Sequence, residues 1–443
     1  AKETPLVDVF ITVCGEPREI VEQTVVAALR IDYPNFTVHI LNDGLVAHKE
    51  NWREVENLKN IYPINVITRT IPGGAKAGNI NHALTKTSAP FLVLFDADHI
   101  PHRDFLKRTI GYFENPKMAF VQTPQYYINK NENSITRAAW EQQELFFGPI
   151  CQGKYRMNAT FWCGTNAVMR REALLSISGV PEQSIAEDFL ASLFLHERGW
   201  KSIYIPEVLA HGLAPVDLEN YISQQYRWAR GSLDVMFRYN PLFRTRLSFA
   251  QKMQYLYSAG FYLNGFVVLI DALVPLIFLF FGVVPVIDTT GSFIVYFAPF
   301  IFLTLYFLMK STGFSITFRA VQLTIATSFV YLIAMVNAIT GRNAKFKVTS
   351  KQKQGKGNLL KYATPNIIYI VLAISGTMLA FIRDGLTPAV ATNVSWAFFN
   401  TVFFWPFIYE AYSWNLTFIR AKAFVLTKLH SINFHRKSEL FIE

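Results

Sequence analysis

Residues 261–281 are nearly all apolar, a run long enough to cross the hydrocarbon core of a bilayer as a helix. Stretches 293–309, 367–382 and 394–408 repeat the pattern, so the second half of the chain reads as a membrane bundle. The stretch 319–340 is ambiguous, because Arg319, Gln322 and several hydroxyls suit an amphipathic interfacial helix as well as a span. Charge separates the two readings. Between 341 and 361 the chain carries Arg342, Lys345, Lys347, Lys351, Lys353, Lys356 and Lys361 and no acid, whereas the loops near Asp288 and Asp384 carry almost no positive charge. Lys and Arg collect on the cytoplasmic side of membrane proteins. That rule puts this loop, the first half of the chain and the basic tail after Arg420 in the cytoplasm. An interfacial 319–340 satisfies it with two spans on either side; a full span there would put the basic loop outside. Asp271 and Glu410 lie in or beside apolar segments, where an ionisable group either faces a polar path or sits near the interface.

With 51% hydrophobic residues, 39 Phe and a formal charge of +10, the chain fits a membrane protein with a basic soluble face. It has no Arg/Lys-rich recognition helix, zinc-ligand spacing or RNA-binding signature, so no nucleic-acid partner is expected. Cys14, Cys151 and Cys163 show no disulfide framework and fit a reducing compartment. The chain begins at Ala1, and further membrane helices upstream are expected in the natural protein.

The first half is organised around residues 91–106. Five apolar residues, Phe91 to Phe95, run into Asp96, Ala97, Asp98 and His99, and Pro101 closes the segment. Such a run reads as a buried, parallel strand. Residues two apart on a strand share a face, so Asp96 and Asp98 look out together over the carboxyl edge of the sheet, where open α/β sheets bind ligands. Two carboxylates and an imidazole there suit a hard divalent cation carrying a phosphate; alternatively, the two Asp only cap the next helix.

Around this strand, 7–13, 36–41, 64–67 and 118–123 read as further strands, and 19–29, 134–147 and 189–198 as helices. A glycine-rich loop at 73–81 runs into a helix and lacks both the Rossmann and the Walker patterns. Its glycines permit close backbone approach and Lys76 offers a point charge for a phosphate; a flexible turn with a solvated lysine is the plainer alternative. Glu187 and Asp188 open a helix, where they also suit its dipole. Gln224, Arg227 and Trp228 fall at i, i+3 and i+4, an amide, a guanidinium and an indole on one helix face. These could hold a diphosphate and a sugar ring.

In order, Asn-Asp-Gly at 42–44, Lys-Ala-Gly-Asn at 76–79, Asp-Ala-Asp-His at 96–99, Phe-Trp-Cys-Gly-Thr at 161–165, Glu-Asp at 187–188 and Gln-x-x-Arg-Trp at 224–228 resemble the membrane-embedded processive glycosyltransferases of the cellulose synthase type. Residues 346–351, with Phe346, Val348, Thr349 and Lys351, resemble that family's gating loop. The resemblance implies a GT-A-type α/β domain with a mixed, mainly parallel sheet over residues 1–245. A transmembrane channel region would follow over 246–418, with the gating-like loop at 341–361, and a basic cytosolic tail over 419–443. It implies residence in a plasma membrane, a bacterial inner membrane, with the catalytic domain cytosolic. The donor would be UDP-glucose, the acceptor a growing β-glucan, the cofactor Mg2+ or Mn2+, and accessory export subunits would be partners.

Residue by residue, the resemblance places Glu16 and Asp43 at the uridine and Lys76 at the UDP. Asp96 would help hold nucleotide and metal, Asp98 would be the main metal ligand, and His99 would assist. Asp188 would be the general base, with Glu187 beside it. Gln224, Arg227 and Trp228 would hold the diphosphate and the acceptor end, and Cys163, Gly164 and Thr165 would line the acceptor site. Four residues depart from the family pattern: Asn42 stands for Asp, Ala186 for Thr, and Gln225 and Tyr226 for Arg-Gly. They are expected around the acceptor, where they would accompany a curdlan-like β-1,3 or mixed linkage instead of a cellulose-like β-1,4 one. Competing readings are a processive synthase for another UDP-sugar (chitin or hyaluronan type), a non-processive transferase to a polyprenyl phosphate, and a non-enzymatic export subunit. The Gln-x-x-Arg-Trp helix and gating-like loop argue against the second, and Asp96, Asp98, Asp188 and Arg227 together against the third.

Overall fold

The computed structural model describes residues 4–284, 290–342 and 360–412. Phe346, Val348, Thr349 and Lys351 of the gating-like loop, and the tail 419–443, lie outside the described residues.

The β-branched and aromatic runs of the first half become strands β1 (Val7–Val13), β2 (Phe36–Asn42), β3 (Asn65–Thr68), β4 (Phe91–Asp96), β5 (Ile100–Pro101), β6 (Met118–Gln122), β7 (Tyr126–Tyr127), β8 (Ala167–Arg170), β9 (Lys201–Tyr204) and β10 (Ala210–Gly212). Seven of them form one sheet in the order β3-β2-β1-β4-β8-β6-β9. All its pairings are parallel except those of β8, which runs antiparallel to both β4 and β6. The sheet is therefore mixed and mainly parallel. Alternate residues of its central strands feed two cores: Val9, Ile11, Val93 and Phe95 pack on one face, Phe10, Leu92 and Leu94 on the other. Burial on both faces explains the unbroken apolar run at 91–95. Strand order reverses beside β1 and β4, so the carboxyl end of β4 lies at the switch point where such sheets bind ligands. The remaining strands form a small sheet, β5-β10-β7, whose β10 crosses in front of that point.

The principal helices are α1 (Arg18–Leu29), α2 (Ala75–Leu84), α3 (Ser134–Leu145), α4 (Glu187–Glu197), α5 (Leu218–Arg238), α6 (Phe249–Gly260), α7 (Asn264–Phe281), α8 (Thr290–Ser311), α9 (Phe318–Ala326), α10 (Ser328–Thr340) and α11 (Leu360–Asp384). A last helix occupies 388–412. Caps fix two of the starts. Asn133 accepts from the amides of Ile135 and Thr136 at the head of α3, and Asp217 accepts from Asn220 at the head of α5, each satisfying a backbone donor that the helix cannot.

Four stretches are long and apolar enough to cross a membrane: Phe249–Phe281, Ile294–Ser311, Phe318–Thr340 and Leu360–Asp384. On α7 and α11 the large residues Phe266, Val267, Ile270, Val371, Ile374 and Met378 are exposed, rows of apolar surface that lipid would cover. The protein is membrane-associated on these grounds. The third stretch bonds to the α/β domain along its length. Gln142 of α3 donates to Thr324 (3.0 Å), Tyr331 donates to Gln225 of α5 (2.7 Å), and Asn337 donates to Tyr226 (2.9 Å). Side chains of the α/β domain thus bond along this helix pair, which agrees with an interfacial placement. Glu410, on the last helix, accepts from Arg319 (2.9 Å) and Ser134 (2.6 Å) and joins the domain to the bundle. Asp271 lies deeper and accepts from the indole of Trp396 at 3.2 Å.

Candidate active site

The site is built on the carboxyl end of β4. Asp96 closes the strand, and its amide donates to the Thr165 hydroxyl at 2.9 Å. Thr12, its partner across β1, donates to its carboxylate at 3.4 Å. Lys76, in the first turn of α2, donates to the Asp96 carboxylate and to the Gly164 carbonyl, the latter at 2.8 Å. Burial opposes ionisation of Asp96, but Lys76 and His99 outweigh it and hold the carboxyl below its usual range. The glycine-rich loop therefore delivers its lysine to the strand end, paired with Asp96 and not solvated.

Gly164 sits between that lysine and Asp188. It has φ of +82°, and a Cβ there would come 3.0 Å from Asp188 Oδ2 and 3.7 Å from Lys76 Nζ. Only glycine combines that backbone with so close an approach. Asp188, in the first turn of α4, takes the amide of Phe189 on its other oxygen at 2.7 Å. Burial pushes its carboxyl up, against the pull of the Phe189 amide, Lys76 and Arg227. Glu187 is pushed up to about 7, first by burial and then by Asp188. Two acids and two cations, Lys76 and Arg227, thus converge on one strand end.

The other expected site residues gather around this centre in different ways. Gln224 is buried beside the Tyr127 hydroxyl, to which it hydrogen-bonds; Trp228 is half-buried on α5. Thr165 is fully buried, and its hydroxyl accepts from the Asp96 amide. The Cys163 amide donates to Gln122 at 2.8 Å, and burial keeps its thiol well above its ordinary pKa. Glu16 folds back to accept from the Cys14 amide at 2.6 Å, and burial raises its carboxyl too. Asp43 is held by Arg69 through two bonds of 2.9 and 2.6 Å, both side chains buried. Arg69 also donates to the carbonyls of Gly73 and Ala75, so one guanidinium ties the β2 end to the glycine-rich loop. The sequence offered no local signal for this arginine, 26 residues from Asp43.

Asp96, Asp98 and His99 do not form the three-ligand set expected of them. Among the described residues, no three His, Cys, Asp or Glu side chains are grouped so as to hold one metal ion. Asp96 turns to Lys76, whereas Asp98 accepts from the Leu213 amide at 3.0 Å. The His99 ring is buried behind Asp98, its Nδ1 3.4 Å from Asp98 Oδ1, with neither ring nitrogen hydrogen-bonded. Gly212 of β10 leaves room for it, since a Cβ there would meet the ring at 2.5 Å. What remains is two carboxylates at the strand edge. That suits a hard divalent cation that keeps waters and substrate phosphate oxygens and takes only one or two protein carboxylates.

The departures from the family pattern have structural partners. Asn42 donates to the Trp52 carbonyl and accepts from the Gly44 amide, both at 2.9 Å; an aspartate could not make the first bond. Gln225 and Tyr226 bond to α10. Ala186 packs beside Phe189, Leu190 and Val235.

Two family models cover the chain: "Glycosyltransferase like family 2" matches residues 5–231, and "Cellulose synthase" matches 179–412. The chain belongs to the cellulose synthase family. Among relatives in this family, the cellulose synthase catalytic subunit (UDP-forming) of Pseudomonas fluorescens SBW25 is 32% identical over 436 residues, covering 90% of this chain and 56% of that protein. The protein of the same name from Xanthomonas axonopodis pv. citri is 39% identical over 263 residues, 57% of this chain and 35% of that one. Putative cellulose synthase 2 of Komagataeibacter xylinus is 32% identical over 394 residues, 86% of this chain but 25% of that protein. The chain thus spans from a quarter to just over half the length of these relatives. Among solved structures, the mannosyltransferase PcManGT of Pyrobaculum calidifontis, in complex with GDP-Man and Mn2+, superposes with a TM-score of 0.53. The match has 16% identity and covers 77% of this chain and 89% of that one. It shows a shared GT-A fold.

Proposed function

We propose that this chain is a processive, inverting glycosyltransferase that moves glucose from UDP-glucose to the non-reducing end of a growing β-glucan and exports the polymer through its own membrane helices. The observation that carries the reading is the convergence of Asp96, Lys76, Gly164 and Asp188 at the end of β4. Few other reactions need a phosphate-facing strand end and a separate buried carboxylate side by side.

Asp188 takes the proton of the acceptor hydroxyl as that oxygen attacks the anomeric carbon. The bond from that carbon to the diphosphate breaks with inversion, and the electron pair leaves on UDP. The raised carboxyl pKa of Asp188 makes it a stronger base than a solvated aspartate. Arg227 and Lys76 face the negative charge that grows on the departing diphosphate. A divalent cation, Mg2+ or Mn2+, held by Asp98 and Asp96 would supply further neutralisation of that charge. The Arg69 clamp on Asp43 and the glycine-rich loop shapes the floor on which the uridine would lie. Trp228 offers an aromatic face for the acceptor sugar.

The test is to incubate the purified chain, reconstituted in lipid, with labelled UDP-glucose and Mg2+, then digest the product with linkage-specific glucanases. High-molecular-weight glucan, cut by a β-1,4- or β-1,3-specific enzyme, is the expected result. A lipid-extractable monosaccharide would overturn processivity, and polymer made only from UDP-N-acetylglucosamine would overturn the donor.

A further inference from the structure

Residues 235–270 contain no acidic residue, yet they carry Arg238, Arg244, Arg246 and Lys252 and a helix of 12 residues outside the proposed chemistry, Phe249–Gly260, continuing to Phe261. This segment joins the α/β domain to the first long apolar helix. The two faces of α6 differ. Gln251, Tyr255 and Ala259 are buried against Phe189, Leu190, Leu193 and Val235. Tyr255 bonds His196 at 2.7 Å, and Lys154 reaches Gln254 and Ser258 at 3.1 and 2.6 Å. Phe249, Met253, Tyr257 and Phe261, spaced by four, follow one another along the opposite face. Phe249, Tyr257 and Phe261 are exposed, as is Phe243 just before the helix, at 81%.

Length says what covers this face. The stretch Phe249–Phe281 has 33 residues, about 50 Å of helix against roughly 30 Å of hydrocarbon. Its first turns therefore emerge at the level of the lipid headgroups, where aromatic residues collect. Charge says which headgroups. Arg238 pairs with Asp234 and Arg244 with Glu197, but Arg246 and Lys252 form no ion pair among the described residues, and Arg246 is exposed.

We propose that Phe243, Phe249 and Tyr257, with Arg246 and Lys252, form a collar that seats the α/β domain on the bilayer by binding anionic lipid headgroups. The collar is continuous with the spanning helix, and its apolar row and basic residues match the acyl and phosphate layers of such a lipid. Each Lys or Arg near an anionic surface is worth roughly fivefold in partitioning. The reverse face of α6 packs on α4, whose first turn carries Asp188, so the lipid contact also steadies the seat of that residue. The inference rests on the membrane placement of the bundle and not on the donor or product proposed above.

The experiment uses the full chain in nanodiscs containing phosphatidylglycerol and phosphatidylcholine, with native mass spectrometry counting the lipids retained by the protein. The wild type is expected to retain phosphatidylglycerol preferentially. Arg246→Gln with Lys252→Gln should lower that preference at least fivefold, whereas the charge-preserving pair Arg246→Lys with Lys252→Arg should leave it unchanged. These positions lie at the surface, where substitutions are well tolerated. Equal retention by the wild type and the Gln pair would overturn the proposal, as would loss of preference in the charge-preserving pair. Sugar transfer is not the readout, so failure here and failure of the proposed activity remain distinguishable.

Discussion

On the proposed mechanism, Asp188 and its neighbour Glu187 would carry the pH dependence of the chemistry. Burial holds both carboxyls above their ordinary values, Glu187 at about 7. A carboxyl with a raised pKa keeps its proton to higher pH, and a base must be without it. Polymer formation should therefore fall as pH drops, with its acid limb above the usual carboxylate range of about 4. A pH–rate profile at saturating donor checks this; a limb at or below about 4 would contradict it. Arg69 acts at one remove, through Asp43 and the backbone of the glycine-rich loop. Arg69→Ala leaves a buried carboxylate unpaired and should cost about 3–5 kcal/mol of stability. Arg69→Lys keeps the charge but loses the two-pronged geometry, so it should raise KM for the nucleotide sugar more than it lowers the melting temperature. Steady-state kinetics beside a thermal melt separate these effects.

At the scale of elements, what the sequence revealed followed the length of each pattern. β1, β2, β4 and β6 were legible as β-branched or apolar runs, and β4 placed Asp96 correctly at its end. β8 and β9 are four residues each, and β10 only three; pieces this short leave no readable period, and β10 is where Leu213 and Gly212 meet Asp98 and His99. The partners of the acidic pair were hidden for a related reason. Strand alternation fixed the faces of Asp96 and Asp98, but not the Lys76 and Leu213 donors that turn them to different partners. The start of α3 at Ser134 was legible, whereas the start of α5, capped by Asp217, was not read from the sequence. At the other end of the sheet, Asp8 on β1 binds His39 on β2 at 3.0 Å and Arg171, which follows β8, at 2.9 Å. Asp8→Ala removes the shared partner of three elements far from Asp96. It should destabilise the domain by about 3–5 kcal/mol while leaving KM for the donor unchanged, as measured by chemical unfolding and kinetics on the same preparation.

For the whole molecule, hydropathy alone counts Phe318–Thr340 among the helices able to cross a membrane. Charge at 341–361 argued otherwise, and the bonds from Gln142, Gln225 and Tyr226 along that helix pair agree with the charge. The resulting arrangement predicts sidedness. A cysteine placed at Asp384 should react with an impermeant thiol reagent in intact cells, and one placed at Arg246 only after permeabilisation; the reverse pattern would invert the topology. The proposed function would put the reaction on the side that holds the α/β domain, and α6 runs on from that domain into the first long apolar helix. That account stands on Asp188 acting as the base within the intact, membrane-embedded chain. Its most direct test is Asp188→Asn in lipid, with polymer formation and UDP binding measured on the same sample. The account predicts polymer formation lower by about 10²- to 10⁴-fold with UDP binding within about twofold of wild type, because Lys76, Asp96 and Asp98 are untouched. Near-normal turnover in Asp188→Asn would contradict it.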